Sequence, residues 1–275
     1  MISQIPKKTC PRPFLKWAGG KSRLIQQYQQ YFPTNYQTYY EPFLGGGAVF
    51  FHLRPTKAIL TDINTDLITT YRCVRDNVEE LIELLQKHKN LHNREYYYEV
   101  RSDLQSTDIE KAARFIYLNK TCFNGLYRVN SQGKFNVPVG KYKNPGICQE
   151  DILKIASQEL SLAEIKQADF TEVLKYAKTS DDFVFFDPPY CPVSQTSYFT
   201  AYSRYSFGET QQVQLRDVFI ELAKCGVKVM LSNSDCEFIR NIYSNFNIQT
   251  ITAARSINPN PKKRGNINEV LVTSY

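Results

Sequence analysis

The sequence predicts an α/β protein built on a mostly parallel, seven-stranded sheet with helices on both faces and a helical insertion. Three observations carry this. Strand-like and helix-like segments alternate in residues 1–76 and again in residues 165–275. The run Asp182-Phe183-Val184-Phe185-Phe186 is almost wholly apolar, as a strand buried on both faces requires. Residues 77–164 between the two stretches drop the alternation for helical periodicity and a polar, aromatic tract.

In the first stretch a helix is expected at Ser22–Phe32 and a strand at Gln37–Glu41. A glycine turn at Gly45–Gly47, a short helix at Ala48–Leu53, a strand at Ala58–Asp62 and a helix at Asp66–Arg75 follow. In the insertion, Val78, Leu81, Ile82, Leu84 and Leu85 fall on one helical face. Thr107-x-x-Glu110 is a capping box that opens a helix through Ala112–Leu118. Asn119–Tyr142 fits neither helix nor strand, and Glu150–Leu160 is helical again. The last stretch reads as strand Ile165–Phe170, helix Glu172–Lys178, strand Phe183–Asp187, helix Glu209–Cys225, strand Val227–Ser232 and helix Cys236–Asn245. Strands Ile248–Thr252 and Glu269–Thr273, joined by a polar loop, form a hairpin.

Composition narrows the function classes. Hydrophobic residues make up 42% of 275, enough for a real core, and no apolar run approaches membrane-spanning length. Met1 to Pro13 contains no apolar signal-peptide core. The seven cysteines are odd in number and none are spaced Cys-x-x-Cys, which argues against a disulfide framework or zinc cluster and fits a reducing cytoplasm. A net charge of +7 is compatible with a polyanionic partner.

Asp187-Pro188-Pro189-Tyr190 closes the most apolar strand. Ligands of open α/β sheets gather at the carboxyl ends of strands, and two prolines there fix the backbone and remove two N–H donors. The result is a stiff rim of acceptors with an aromatic plate, suited to a flat substrate carrying an amino group; an ordinary proline turn would read the same. Glu41-Pro42-Phe43-Leu44-Gly45-Gly46-Gly47 sits at a strand-to-helix turn where glycines allow a ligand close to the backbone. Asp62 ends the next strand, where an acid meets ribose hydroxyls in dinucleotide-type folds. The spacing is not Gly-x-Gly-x-x-Gly, so a nucleoside without phosphates fits better than a pyrophosphate.

Asp169 ends another strand, where it can accept from an adenine amine while Phe170 covers the ring; the same residue can equally cap a helix starting near Thr171. Phe14-Leu15-Lys16-Trp17-Ala18-Gly19-Gly20-Lys21 holds the only tryptophan between two lysines and lacks P-loop spacing. Arg255 and Lys262-Lys263-Arg264, in the loop of the C-terminal hairpin, can grip phosphates or simply be solvated. His88 and His92 have the i, i+4 spacing of metal ligands, but no acidic partner pattern accompanies them, and a solvated helix end is the preferred reading.

Taken together, Lys-Trp-Ala-Gly-Gly-Lys, Glu-Pro-Phe-x-Gly-Gly-Gly and Asp-Pro-Pro-Tyr, in this order, resemble the Dam family of DNA adenine-N6 methyltransferases (D12 class, GATC type). The insertion agrees: Asn119-Lys120-Thr121-Cys122-Phe123-Asn124-Gly125-Leu126-Tyr127-Arg128 and Phe135-Asn136-Val137-Pro138 resemble that family's DNA-reading segment. The likeness spans residues 14 to about 273.

The resemblance implies a Rossmann-like, S-adenosylmethionine-dependent methyltransferase fold divided as 1–76, 77–164 and 165–275, with the middle part reading DNA. It implies that Trp17, Lys21, Phe43, Gly45, Gly47, Asp62, Asp169, Phe170 and Asp187 surround S-adenosylmethionine. Asp187, Pro188, Pro189 and Tyr190 would act on an adenine flipped from duplex DNA. Lys16, Phe123, Asn124, Leu126, Arg128, Pro138 and Tyr142 would contact DNA. Family members often carry tyrosine where Phe123 stands, so stacking is kept and a phenolic hydrogen bond is lost.

No Pro-Cys dipeptide occurs, so a cysteine-nucleophile route to cytosine has no candidate. The implied partner is duplex GATC DNA, met by a monomer in a prokaryotic or phage-infected cytoplasm, with a cognate restriction endonuclease as a functional companion. The alternative keeps cofactor and fold but moves the acceptor to the cytosine amine, RNA or a protein glutamine.

Overall fold

The computed structural model describes residues 10–103, 107–192, 207–254 and 266–275. Its strands are β1 (Thr38–Glu41), β2 (Ala58–Asp62), β3 (Ala163–Gln167), β4 (Asp182–Phe186), β5 (Lys228–Ser234), β6 (Asn247–Ala254) and β7 (Asn266–Thr273). They form one seven-stranded sheet in the order β3-β2-β1-β4-β5-β7-β6. β1 runs parallel to β2 and β4, and β4 parallel to β5. β7 runs antiparallel to both β5 and β6. The expected parallel body with a terminal antiparallel pair is what forms. The strand order reverses between β1 and β4, and such a switch point opens a crevice at the strands' carboxyl ends.

The helices are α1 (Ile25–Tyr28), α2 (Ala48–Leu53), α3 (Thr65–Asp76), α4 (Val78–Leu91), α5 (Arg94–Ser102), α6 (Asp108–Thr121), α7 (Glu150–Leu160), α8 (Glu209–Lys224) and α9 (Glu237–Ile242). None of the helices among the described residues is long and apolar enough to cross a membrane. Arg255 and Lys262-Lys263-Arg264 lie outside the described residues.

The chain packs as two compact units. The first is Met1–Lys21, Gly45–Arg54 and Asn64–Ile165; the second is Ser22–Leu44, Pro55–Ile63 and Lys166–Tyr275. These differ from the three sequence segments because α3 buries Leu67, Ile68, Tyr71 and Val74 and packs on α6 and α7. In the second unit, Val184 and Phe186 of β4, Val229 and Leu231 of β5, and Leu215 and Phe219 of α8 share one core. Each such side chain contributes about 1.5–3 kcal/mol by leaving water.

Several elements differ from expectation. Residues 21–31 form a short α1 flanked by 3-10 turns at Lys21–Arg23 and Gln29–Tyr31 instead of one helix. Leu24 supplies no side-chain cap, and Phe32, extended ahead of Pro33, ends the segment. β3 ends at Gln167, and Phe170–Lys175 is a 3-10 helix, because the Asp169 carboxylate caps it and pulls Phe170 out of the strand. Helix α5 has no counterpart in the sequence reading. It buries only Tyr97 and Val100, too thin a stripe to stand out, and is started by Asn93 accepting from Tyr96 N–H at 2.8 Å. The expected Thr107–Glu110 capping box opens α6, which runs on to Thr121 and so takes in Asn119 and Lys120.

His88 and His92 are tied into the first unit by tyrosines. His88 Nδ1 lies 2.8 Å from the Tyr96 hydroxyl and His92 Nδ1 lies 2.9 Å from that of Tyr117. Burial lowers His88 from its ordinary value to about 4. Its folded value lies below its unfolded one, so its contribution is complete above about pH 6.5 and is lost as pH falls toward the folded value. Acidifying from about pH 7.5 to 5 should therefore cost the wild type on the order of 1 kcal/mol more than His88→Gln, allowing for screening of a half-buried ring. Urea midpoints at the two pH values measure this, and equal losses would contradict it.

Candidate functional site

In the second unit, β4 is buried along its whole length and delivers Asp187 at its carboxyl end. Ser232 Oγ, on neighbouring β5, donates to Asp187 Oδ1 at 2.9 Å. The prolines cannot be pinned through their own N–H, and side chains take over the backbone groups around them. Gln212 Nε2 of α8 donates to the Pro189 carbonyl at 2.9 Å. Cys191 N–H donates to Asn233 Oδ1 at 3.0 Å, and Asn233 Nδ2 donates to Gln212 Oε1 at 2.9 Å. Ser234 Oγ donates to the Cys191 carbonyl. The Tyr190 hydroxyl donates to Glu269 Oε2 of β7 at 2.6 Å. Burial pushes the Cys191 thiol up to about 12, assisted by the neighbouring Cys236, so it is no thiolate at neutral pH.

The other predicted residues of this unit lie at or just beyond the ends of β1, β2 and β3. Phe43, just beyond β1, stacks on Phe170 with centroids 5.5 Å apart and meets Phe207 edge-on at 5.7 Å. Asp62 is the last residue of β2, and its carbonyl accepts from Ala168 N–H at 3.2 Å. Asp169 is exposed, and its Oδ1 accepts from Thr171 N–H at 3.0 Å and Thr171 Oγ1 at 2.7 Å. The capping reading of Asp169 is thus the one its geometry displays.

In the first unit the Lys16–Trp17 loop is tied to the Asn119–Tyr142 tract. Buried Asn119 accepts from Lys16 N–H at 2.9 Å and donates through Nδ2 to the Lys16 carbonyl at 2.7 Å and the Gly125 carbonyl at 3.3 Å. Trp17 stacks on Tyr127 with centroids 5.8 Å apart, and Tyr127 in turn donates to Asp66 Oδ2 at 2.8 Å. Gly45 adopts φ +47°, and a Cβ there would lie 2.7 Å from Trp17 Cδ1. Its carbonyl accepts from the Tyr71 hydroxyl at 3.1 Å. Gly47, also left-handed, is the N-cap of α2. Lys21 is buried and donates to the Gly19 carbonyl.

The tract itself presents its predicted residues outward. Phe123 is 50% exposed and Tyr142 37%. Lys16, Asn124, Arg128 and Pro138 are exposed, and Leu126 is half-buried. Arg128 Nε donates to Asn136 Oδ1 at 2.8 Å, and Lys16 Nζ sits 4.1 Å over the Tyr142 ring. Phe123 N–H donates to the Pro138 carbonyl at 2.8 Å, and Gly140 N–H to that of Thr121 at 2.8 Å, so the two loops hold each other. Buried Lys120 donates to Gln149 Oε1 at 2.9 Å, and burial, with Lys16 and Arg12 nearby, lowers its amine to about 8.

Sequence reasoning missed Ser232, Asn233, Gln212, Glu269 and Asn119. A signal exists for the strand residues. Ser232-Asn233-Ser234 is a polar run closing the apolar Val229-Met230-Leu231, and Glu269 is the only acid in β7.

A profile of the D12 class N6 adenine-specific DNA methyltransferases matches residues 17–257. The chain is 45% identical over 272 residues to the type II methyltransferase M1.LlaDCHI of Lactococcus lactis subsp. cremoris, covering 96% of this chain and 95% of that protein. It is 42% identical over 287 residues to the type II methyltransferase M.MjaIII of Methanocaldococcus jannaschii, covering 96% and 99%. It is 36% identical over 266 residues to the DNA adenine methylase of Haemophilus influenzae, covering 94% and 92%.

The contact between Gly45 and the sole tryptophan is open to test. Gly45→Ala should displace the indole, shift the protein's tryptophan emission, and cost about 1–3 kcal/mol of stability in urea. Gly46→Ala, whose Cβ would meet Trp17 Cβ at 3.2 Å, should do less. Identical spectra for Gly45→Ala and wild type would contradict the contact.

Proposed function

The chain belongs to the D12 class of N6 adenine-specific DNA methyltransferases, and on that premise we propose that it methylates the adenine of GATC in duplex DNA. The methyl donor proposed is S-adenosylmethionine, which when bound supplies an electrophilic methyl group on its sulfonium. The residues proposed to hold it are Trp17, Lys21, Phe43, Gly45, Gly47, Asp62, Asp169, Phe170 and Asp187. Their chemistry suits a nucleoside with a charged amino-acid tail. The Asp62 carboxylate at the end of β2 is an acceptor for ribose hydroxyls, the aromatics offer flat faces, and no phosphate cradle is needed.

Asp187 is the residue on which the reading rests. An adenine amine is a poor nucleophile because its lone pair is delocalised into the ring. The Asp187 carboxylate and the Pro188 carbonyl, each accepting one N–H, favour a pyramidal nitrogen whose lone pair is directed at the methyl. Transfer of the methyl group to that nitrogen would release the donor's neutral thioether as leaving group, and the nitrogen would give up one of its two protons, with no covalent enzyme intermediate. Positioning and fixed electrostatics provide the acceleration. The Ser232 hydroxyl on Asp187 Oδ1 and the Gln212 amide on the Pro189 carbonyl support this role, since both restrict how the motif can turn.

The target amine is paired inside the duplex, so the adenine must leave the stack at a cost of a few kcal/mol. Tyr190 is assigned to stack on it. Lys16 and Arg128 suit guanine acceptors in the major groove, and Leu126 and Pro138 suit a thymine methyl. Asn124, Phe123 and Tyr142 complete the proposed DNA contacts, the last two by stacking. Since two of the relatives are named type II methyltransferases, a companion restriction endonuclease is part of the proposal.

Labelled S-adenosylmethionine should transfer its methyl group to a GATC duplex and not to the same duplex with the site scrambled. Mapping the modified base reads out base, atom and context together. Asp187→Ala should lower transfer by about 10²–10³-fold or more while keeping a native circular dichroism spectrum. No label on duplex DNA would falsify the function, and near-normal turnover by Asp187→Ala would remove the mechanism.

A further inference from the structure

The side chains around residues 187–191 do different jobs. Gln212, Asn233 and Ser234 bind main-chain groups, and these side chains are buried at 1%, 0% and 7% exposure. They fix the path of the backbone but not the plane of the Tyr190 ring, which turns about two side-chain torsions. The far end of that ring is tied by the 2.6 Å bond from its hydroxyl to Glu269 Oε2.

Glu269 stands in an unusual place for a carboxylate. It is half-buried on β7, opposite Ser234 of β5 and Ile251 of β6, and Val270, Leu271 and Val272 after it are fully buried. A carboxylate at the edge of such a core costs stability unless it is hydrogen-bonded, and the Tyr190 hydroxyl supplies that bond. Burial, with Tyr28, Asp187 and Glu269 around it, pushes the Tyr190 phenol far up, which keeps the proton on tyrosine and makes it the donor.

We propose that Glu269 is a positioning residue for methyl transfer, acting through the Tyr190 hydroxyl to set the plane of the ring that stacks on the extruded adenine. The inference rests on the function proposed above. Glu269 touches neither base nor donor in this role.

The test uses the full chain, labelled S-adenosylmethionine, and GATC duplexes carrying either adenine or fluorescent 2-aminopurine at the target position. Glu269→Ala should slow single-turnover transfer about 10–100-fold, the scale of a small misplacement, while KM for the donor stays within about twofold. It should also change the 2-aminopurine emission of the complex, because a loosened ring quenches the extruded base less. Glu269→Gln keeps an oxygen acceptor and should recover the rate to within about threefold of wild type.

Tyr190→Phe should slow transfer as Glu269→Ala does, and the double variant should be no slower than Tyr190→Phe alone. A full second loss in the double variant, or unchanged 2-aminopurine emission in Glu269→Ala, would overturn the proposal. If Glu269→Ala does not fold, Tyr190→Phe alone decides, since a wild-type rate there leaves the bond nothing to do. Absence of transfer by the wild type would instead count against the function itself, and the 2-aminopurine signals would still report on Glu269.

Discussion

A strand buried on both faces that ends in an acid and two prolines must be held by something other than its own sheet. Prolines at 188 and 189 donate no backbone hydrogen bond, so the ladder that fixes β4 stops at Phe186. What fixes the chain beyond it is a set of side chains from β5, α8 and β7, bonded to one another as well as to the motif. Such groups are worth little net stability when satisfied and are costly when not, so their main product is a single backbone path. The antiparallel β5–β7 pairing therefore has a consequence beyond sheet closure: it brings Glu269 opposite Ser234, within reach of Tyr190.

The first unit shows the same logic in another form. Asn119 sits in the last turn of α6, where asparagine gains nothing for the helix, and spends its amide on the main chain of Lys16 and of Gly125. The loop carrying Trp17 and the tract carrying Asn124, Leu126 and Arg128 are in this way one construction. The Trp17–Tyr127 stack and the Tyr127–Asp66 bond extend it to α3. Lys16, Asn124 and Arg128, proposed to read bases, are exposed on this frame, and Asn119 at its centre is buried.

Much of this was legible in the sequence. The ends of Ala48–Leu53, Ala58–Asp62 and Glu150–Leu160 coincide with expectation because glycine turns, strand-end acids and strong periodicity all act locally. The Thr107–Glu110 box was legible for the same reason, its two bonds spanning three residues. Asp169 was ambiguous as a string of letters, since strand-end acid and N-cap look alike; in the folded chain its carboxylate caps at Thr171 and is exposed. Helix α5 escaped notice because its apolar stripe is two residues wide.

Chain-local chemistry determined the alternation of strands and helices and the placing of Asp187, Phe43 and Asp62 at strand ends. Only the folded chain decided what holds them. Ser232 lies 45 residues from Asp187, Glu269 79 from Tyr190, and Asn119 103 from Lys16. No periodicity or turn rule links residues so far apart, because their meeting depends on strand order and helix docking. The acid at the end of β4 could be read from the sequence, whereas the bonds that aim it exist only once the sheet has been assembled.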